Sequence, residues 1–142
     1  MREAFFLKLL NTSSTHKKIS REGFQKLDLT EGQPKILYIL YIQDGHTQKE
    51  LAGLCKIRES TLTAMLAKME KSGYIYKEKA TVSGGKRAFR IFLTDTGKAK
   101  GKDIMELVNR IDDTSLNGFS EEEIDLFYHM LDKVTENLNH IQ

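Results

Sequence analysis

The segment TQKELAGLCKIRESTLTAMLAKMEKSGYI, residues 47–75, constrains this chain more than any other. It reads as two amphipathic helices joined by a very short turn. Thr47 and Glu50 form a capping box, in which each residue satisfies an unpaired N–H of the other at a helix start. Leu51, Ala52 and Leu54 are assigned to the inner side of the first helix, with Ala52 small where the two helices cross. The second helix carries Leu62, Met65, Leu66 and Met69 at i, i+3, i+4 and i+7, the stripe of a half-buried helix. Ser60, Thr61, Thr63, Ala64, Ala67, Lys68 and Lys71 are left on its outer face. That face is small and polar at first and cationic further on. Such a helix fits a DNA major groove, with hydroxyls able to reach base edges or phosphates. Its N-terminal N–H groups favour an anion. A plain helical hairpin with a solvated face gives the same pattern, so this segment alone leaves both readings open.

The next stretch separates them. YIYKEKATVSGGKRAFRIFL, residues 74–93, reads as a β-hairpin turning at Ser83-Gly84-Gly85, with Lys86 and Arg87 at its tip. The chain's net charge is +2, but residues 56–90 carry nine Lys/Arg and three Glu, a net of +6. Residues 91–142 carry five cations and eleven acids, a net of −6. A basic middle and an acidic tail point to a polyanion partner for one part of the chain. A helix-turn-helix followed by a basic two-stranded wing is one DNA-binding unit, and both parts lie in or beside the basic segment.

The rest reads as helix. A first helix is expected over about residues 2–27, with a break near NTSST as the alternative. A second lies in EGQPKILYILYIQD and stops at Gly45. Thr30 with Gln33 is its candidate capping box, and Pro34 argues for a start a few residues later. Gly73 ends the fourth helix. Thr94 caps a fifth over about 95–116, and Ser120 with Glu123 opens a last helix to about 141. The fold class is mainly α with a small β-hairpin. The 142 residues suit one domain.

Three stretches, LTEGQPKIL, TQKELAGLCKIRESTLTAMLAKMEKSGYI and GGKRAFRIFLTDTGK, occur in the order found in the MarR family of bacterial transcription regulators. The chain resembles that family over almost its whole length. The family pattern at the last stretch is an acid, a basic pair, a strand, then Leu-Thr-x-x-Gly. Lys86, Arg87, the strand to Phe92, Leu93, Thr94 and Gly97 match it. The resemblance implies a winged helix-turn-helix at 30–94, flanked by dimerisation helices at 1–28 and 95–142. It also implies a pseudo-palindromic operator and modulation by a small ligand or oxidant. Three positions depart from the pattern. Gly85 replaces the acid before the basic pair, and Ala64 replaces a frequent basic residue on the reading face. Arg58 stands where Ser, Thr or Asp usually caps the recognition helix. Either Ser60 caps a shortened helix, or Arg58 faces DNA.

The expected function is a sequence-specific DNA-binding regulator, a homodimeric repressor modulated by a small ligand. The alternative is a winged-helix protein-interaction module. Lys56, Arg58, Lys68 and Lys77 are expected on phosphates, and Ser60, Thr61 and Thr63 on the recognition face. Lys86 and Arg87 are expected in the adjacent minor groove, where A·T-rich tracks attract cations. Ile124, Phe127, Leu131, Val134, Leu138 and Ile141 follow a 3-4-3-4-3 spacing, the seam of a packed helix pair. With Phe5, Phe6, Leu9 and Leu10 they give a dimer interface, or else an intramolecular bundle. A dimer would set two recognition helices about 34 Å apart.

No effector residues are assigned; Phe24, Tyr38 and Tyr41 suit a core as well as a pocket. Cys55, the single cysteine, reads as a small buried hydrophobe rather than a redox sensor. His16, His46, His129 and His140 show no i, i+4 pairing, so no metal site is expected, and no cofactor. No phosphate loop, zinc-protease signature or nucleophile elbow supports an enzyme. The acids of SEEEID suit a helix N-terminus. Lys8 and Glu3 interrupt the apolar N-terminus, so no signal peptide or membrane span is expected, and the expected location is the cytoplasm.

Overall fold

The computed structural model describes residues 2–30 and 32–141. Met1, Glu31 and Gln142, which fall in the expected terminal segments and second helix, lie outside the described residues. In chain order the elements are α1 (Phe5–Gln25), α2 (Gln33–Ile42), β1 (His46–Thr47), α3 (Gln48–Cys55) and α4 (Glu59–Lys71). Then come β2 (Ile75–Thr81), a 3-10 turn at Ser83–Gly85, β3 (Arg87–Leu93), α5 (Asp95–Ser115) and α6 (Glu121–Asn139). Two compact units divide the chain, Met1–Val108 and Asn109–Gln142.

In the first unit one core joins the helices to the sheet. Leu29, Ile36, Leu37 and Leu40 meet Leu51, Ala52, Cys55, Leu62, Leu66, Met69, Ile75, Ile91, Leu93 and Ile104. The expected helix-turn-helix stripe is buried at Leu62, Leu66 and Met69, with Met65 packed against it. Leu54 is not inside: it is 49% exposed, and Cys55 at 5% takes its place. At 100° per residue, Leu51, Ala52 and Cys55 share one narrow arc and Leu54 falls outside it. Phe24, Tyr38 and Tyr41 pack against the core.

The helix ends follow local chemistry. Thr47 with Glu50 and Ser120 with Glu123 form full capping boxes. At Thr30 only half the box forms: its N–H donates to Gln33 Oε1 (3.1 Å), while α2 starts at Gln33 with Pro34 in its first turn. α1 runs unbroken through NTSST. The hydroxyl of Thr15 folds back to the Asn11 carbonyl (3.0 Å), and that of Ser20 to His16 (2.8 Å). Each hydroxyl is thereby satisfied by the carbonyl one turn back, without breaking the helix. α4 ends in a Schellman motif on Gly73 (φ 81°), with Tyr74 N–H on Met69 O and Gly73 N–H on Glu70 O.

The sheet has three antiparallel strands in the order β1-β3-β2, one more than the expected hairpin. β1 pairs His46 with Ile91 and Thr47 with Arg90; β2 pairs with β3 from Ile75↔Leu93 to Thr81↔Arg87. No helix among the described residues is long and apolar enough to cross a membrane.

Candidate nucleic-acid interface

α3 and α4 bury their facing stripes and leave the outer side of α4 open. Ser60, Thr61, Thr63, Ala64, Ala67, Lys68 and Lys71 are all exposed. Ser60, Ala64, Ala67 and Lys71 lie opposite Leu62, Leu66 and Met69 on the helical wheel, at the centre of that face. Arg58 is the N-cap residue, is exposed, and makes no side-chain cap bond, so Ser60 lies within the first turn and is not the cap.

Thr63 is engaged within the helix pair. Its hydroxyl donates to Glu59 O (2.8 Å) and accepts from Gln48 Nε2. That uses its donor and leaves its methyl and one acceptor lone pair. Gln48, at the start of α3, was not legible as part of this face, because the bond spans fifteen residues.

The turn between the helices is unusual. Lys56 adopts a left-handed backbone (φ 59°, ψ 42°) that usually selects glycine. Ile57 N–H still reaches Ala52 O (3.1 Å), so the turn closes on a strained lysine. Ala52, Gly53, Lys56, Ile57, Arg58 and Thr61 line an open depression here, two cations at its edge.

On the wing, side chains alternate between faces. Register places Lys77, Lys79, Phe89 and Arg87 on the face that carries Ile75, Ile91 and Leu93 toward the core. Lys77 is half-buried, while Lys79, Lys86 and Arg87 are exposed. Lys79 is thus a further cation on the ribbon face of Arg87. The tip turns through Gly84 (φ 81°) and Gly85 (φ 74°). An acid at residue 85 would carry a strained left-handed backbone, which explains why this chain lacks one. Among the described residues no ion pair or hydrogen bond holds the Arg87 side chain.

Arg90 behaves differently. It lies on the other ribbon face, its guanidinium donating to Gly45 O (2.9 Å) and lying 3.9 Å from Glu50 Oε1. Glu50 Oε1 also accepts from Thr47 N–H (2.9 Å), and Glu50 Oε2 lies 3.9 Å from His46 Nδ1. Hydrogen bonds with Thr47, backbone first and then side chain, hold the Glu50 carboxyl below its usual range, and the charges of His46 and Arg90 add to this. The sign follows from a depressed folded value. Glu50 contributes stability above the ordinary carboxylate range, and that contribution is lost as pH falls through the lowered value. Glu50→Gln keeps an acceptor for the cap but not the charge. Its stability deficit relative to wild type is expected at neutral pH, should shrink as pH falls through the ordinary carboxylate range and should vanish below the lowered value; a deficit unchanged across a pH series of melts would refute the assignment. Burial pushes the Cys55 thiol up, as suits an inert hydrophobe.

The apolar residues expected at an interface are exposed in the single chain. Phe6 of α1 is 72% exposed, and Phe5 and Leu9 are also open. In the second unit Phe127, Leu131 and Leu138 of α6 are exposed, Ile124 and Val134 half-buried.

An exposed recognition-type helix, a strained basic turn and a cationic wing define a winged helix-turn-helix regulator. The comparisons agree. The sequence model of the MarR family matches residues 29–84. The chain is 32% identical to the uncharacterized HTH-type transcriptional regulator YybA of Bacillus subtilis (strain 168), over 84% of this chain and 79% of that one. It is 28% identical to the HTH-type transcriptional repressor YetL of the same strain, over 94% and 80%. Among solved structures it is similar to a putative MarR family transcriptional regulator from Listeria monocytogenes complexed with a 26mer DNA (TM-score 0.83, 26% identity, 96% and 90% coverage). The chain belongs to the MarR family of DNA-binding transcriptional regulators.

Proposed function

We propose that this chain acts as a homodimeric repressor in the cytoplasm, occupying a pseudo-palindromic operator under the control of a small effector. α4 enters the major groove with Ser60, Thr61 and Thr63 at its reading face. Lys56, Arg58, Lys68 and Lys77 hold phosphates, and Lys86 and Arg87 enter the adjacent minor groove. The segments 1–28 and 95–142 dimerise and 30–94 binds DNA. The observation that carries this reading is the joint exposure of the small, cation-ended face of α4 and the two cations at the wing tip. The DNA-bound Listeria relative and the repressor YetL support it. The exposed apolar side chains of α1 and of α6 support a dimer, since a folded chain rarely leaves so many in water.

The test is a salt titration against the DNA upstream of the chain's own gene, with footprinting. Sequence-specific binding with a two-fold footprint supports the reading, and absence of binding even at low salt overturns it in favour of a protein-interaction module. Lys56 gives a sharper check. Lys56→Gly relieves the left-handed strain and should raise stability by up to about 1 kcal/mol. The same change removes a phosphate contact, so affinity should fall and the slope of log affinity against log salt should flatten by about 1. A more stable variant with unaltered DNA binding would remove Lys56 from the interface.

A further inference from the structure

We propose that Arg90 is a positioning residue: it fastens the base of the wing to the helix-turn-helix and so sets where Arg87 meets DNA. The inference rests on the reading of Arg87 as a DNA contact. β1 has only two residues, and its last pairing with β3 is Thr47↔Arg90. Beyond residue 90, β3 has only β2 beside it, with Ala88 opposite Ala80 and Arg87 opposite Thr81. An isolated two-stranded ribbon is marginally stable in water. The wing tip is therefore a lever, and Arg87 lies three residues, about 10 Å, past the last point of support.

Arg90 stands at that point and joins three pieces. Its backbone pairs with Thr47, its guanidinium donates to Gly45 O (2.9 Å) in the loop before β1, and it faces Glu50 (3.9 Å) in the first turn of α3. Gly45 N–H in turn donates to Ile91 O (3.0 Å). Asp44 Oδ1 accepts from Leu93 N–H (3.0 Å), so the same loop also holds the strand's far end. The arginine lies on the ribbon face opposite Arg87, where its guanidinium is committed to Gly45 O and Glu50. A small rotation at the base is magnified at the tip, and a groove contact tolerates an error of only about 0.5 Å and 10–20°.

The experiment is a double-mutant cycle on a duplex that the wild-type protein selects from random DNA, with affinity measured at several salt concentrations and folding checked by thermal melts. Arg90→Met should weaken binding about tenfold or more without flattening the salt slope, because no phosphate contact is lost. In an Arg87→Ala background the same change should cost little. Arg90→Lys, which keeps one donor for Gly45 O and is the variant to use if Arg90→Met fails to fold, should fall between Arg90→Met and wild type. Equal costs of the Arg90 substitution in both backgrounds overturn the proposal, as does a slope flattened by about 1, which would make Arg90 a phosphate contact. If Arg87→Ala alone leaves affinity and sequence preference unchanged, the wing reading itself falls and this proposal with it.

Discussion

Gly97→Ala should lower the melting temperature by several degrees, up to roughly 10 °C. Gly97 sits in the first turn of α5, where its N–H donates to Thr94 Oγ1 (3.0 Å). A Cβ added there would lie 2.0 Å from the carbonyl oxygen of Tyr74. That oxygen is backbone and is already fixed, accepting the Thr94 N–H (3.0 Å). The Thr94 hydroxyl also bonds to Gly73 O, so the end of α4, the start of β2 and the start of α5 meet main chain to main chain. No side chain can swing away to relieve the clash. Overpacking of this kind costs about 1–3 kcal/mol or more, and the better helix propensity of alanine returns at most about 1. The measured comparison is Gly53→Ala in α3, where nothing lies within 4 Å of the new methyl. That variant should gain stability from propensity alone. Matching melts for the two variants would show that α5 does not approach Tyr74 this closely. Gly101 is constrained as well: a methyl there would lie 2.8 Å from the Tyr41 Cβ, which cannot swing away, and 2.7 Å from its ring.

The sequence exposed those parts of the fold whose causes are local. Capping boxes at Thr47 and Ser120 formed as read, because both partners lie within one turn. The α4 stripe was legible for the same reason. β1 was not, since two residues carry no period, and only pairing with residues 90–91 makes them a strand. Thr47 showed its role as a cap and concealed its role in the sheet. Leu54 misled because an apolar residue three positions after Leu51 fits a helical stripe on spacing alone; the outcome depended on which arc of an eight-residue helix α4 covers.

The interface was legible in charge and not in commitment. A sequence shows that Thr63 has a hydroxyl and Arg90 a cation, but not that both are already bonded within the protein. Conversely, Lys79 is an ordinary surface lysine in sequence, and nothing in the sequence marks Lys56, expected on a phosphate, as left-handed. Strand register distinguishes the first and backbone φ the second. Gly85 is the one departure that the backbone explains: the tip takes a left-handed turn there, and the acid gives way to it.

Ala64→Glu should abolish specific DNA binding while leaving the fold intact. Ala64 is exposed at the centre of the α4 outer face, opposite the buried Leu62, Leu66 and Met69. Glutamate is a good helix former and would meet no packed neighbour, so melting should hardly change. In the proposed docking its carboxylate would face a polyanion at the centre of the contact, where like charges cost several kcal/mol, a loss beyond about a hundredfold. The flanking Glu59 and Glu70 do not prevent docking, because they sit at the sides of that face. Ala64→Lys gives the opposite sign at the same position. It restores the basic character usual on this face in the resemblance, and should tighten binding and steepen the salt slope by about 1. Size alone cannot produce that pair of results, since both side chains are long. If both substitutions weaken binding equally, position 64 senses bulk and not phosphate charge. If neither has an effect, the outer face of α4 does not read DNA, and the exposed helix must serve another partner.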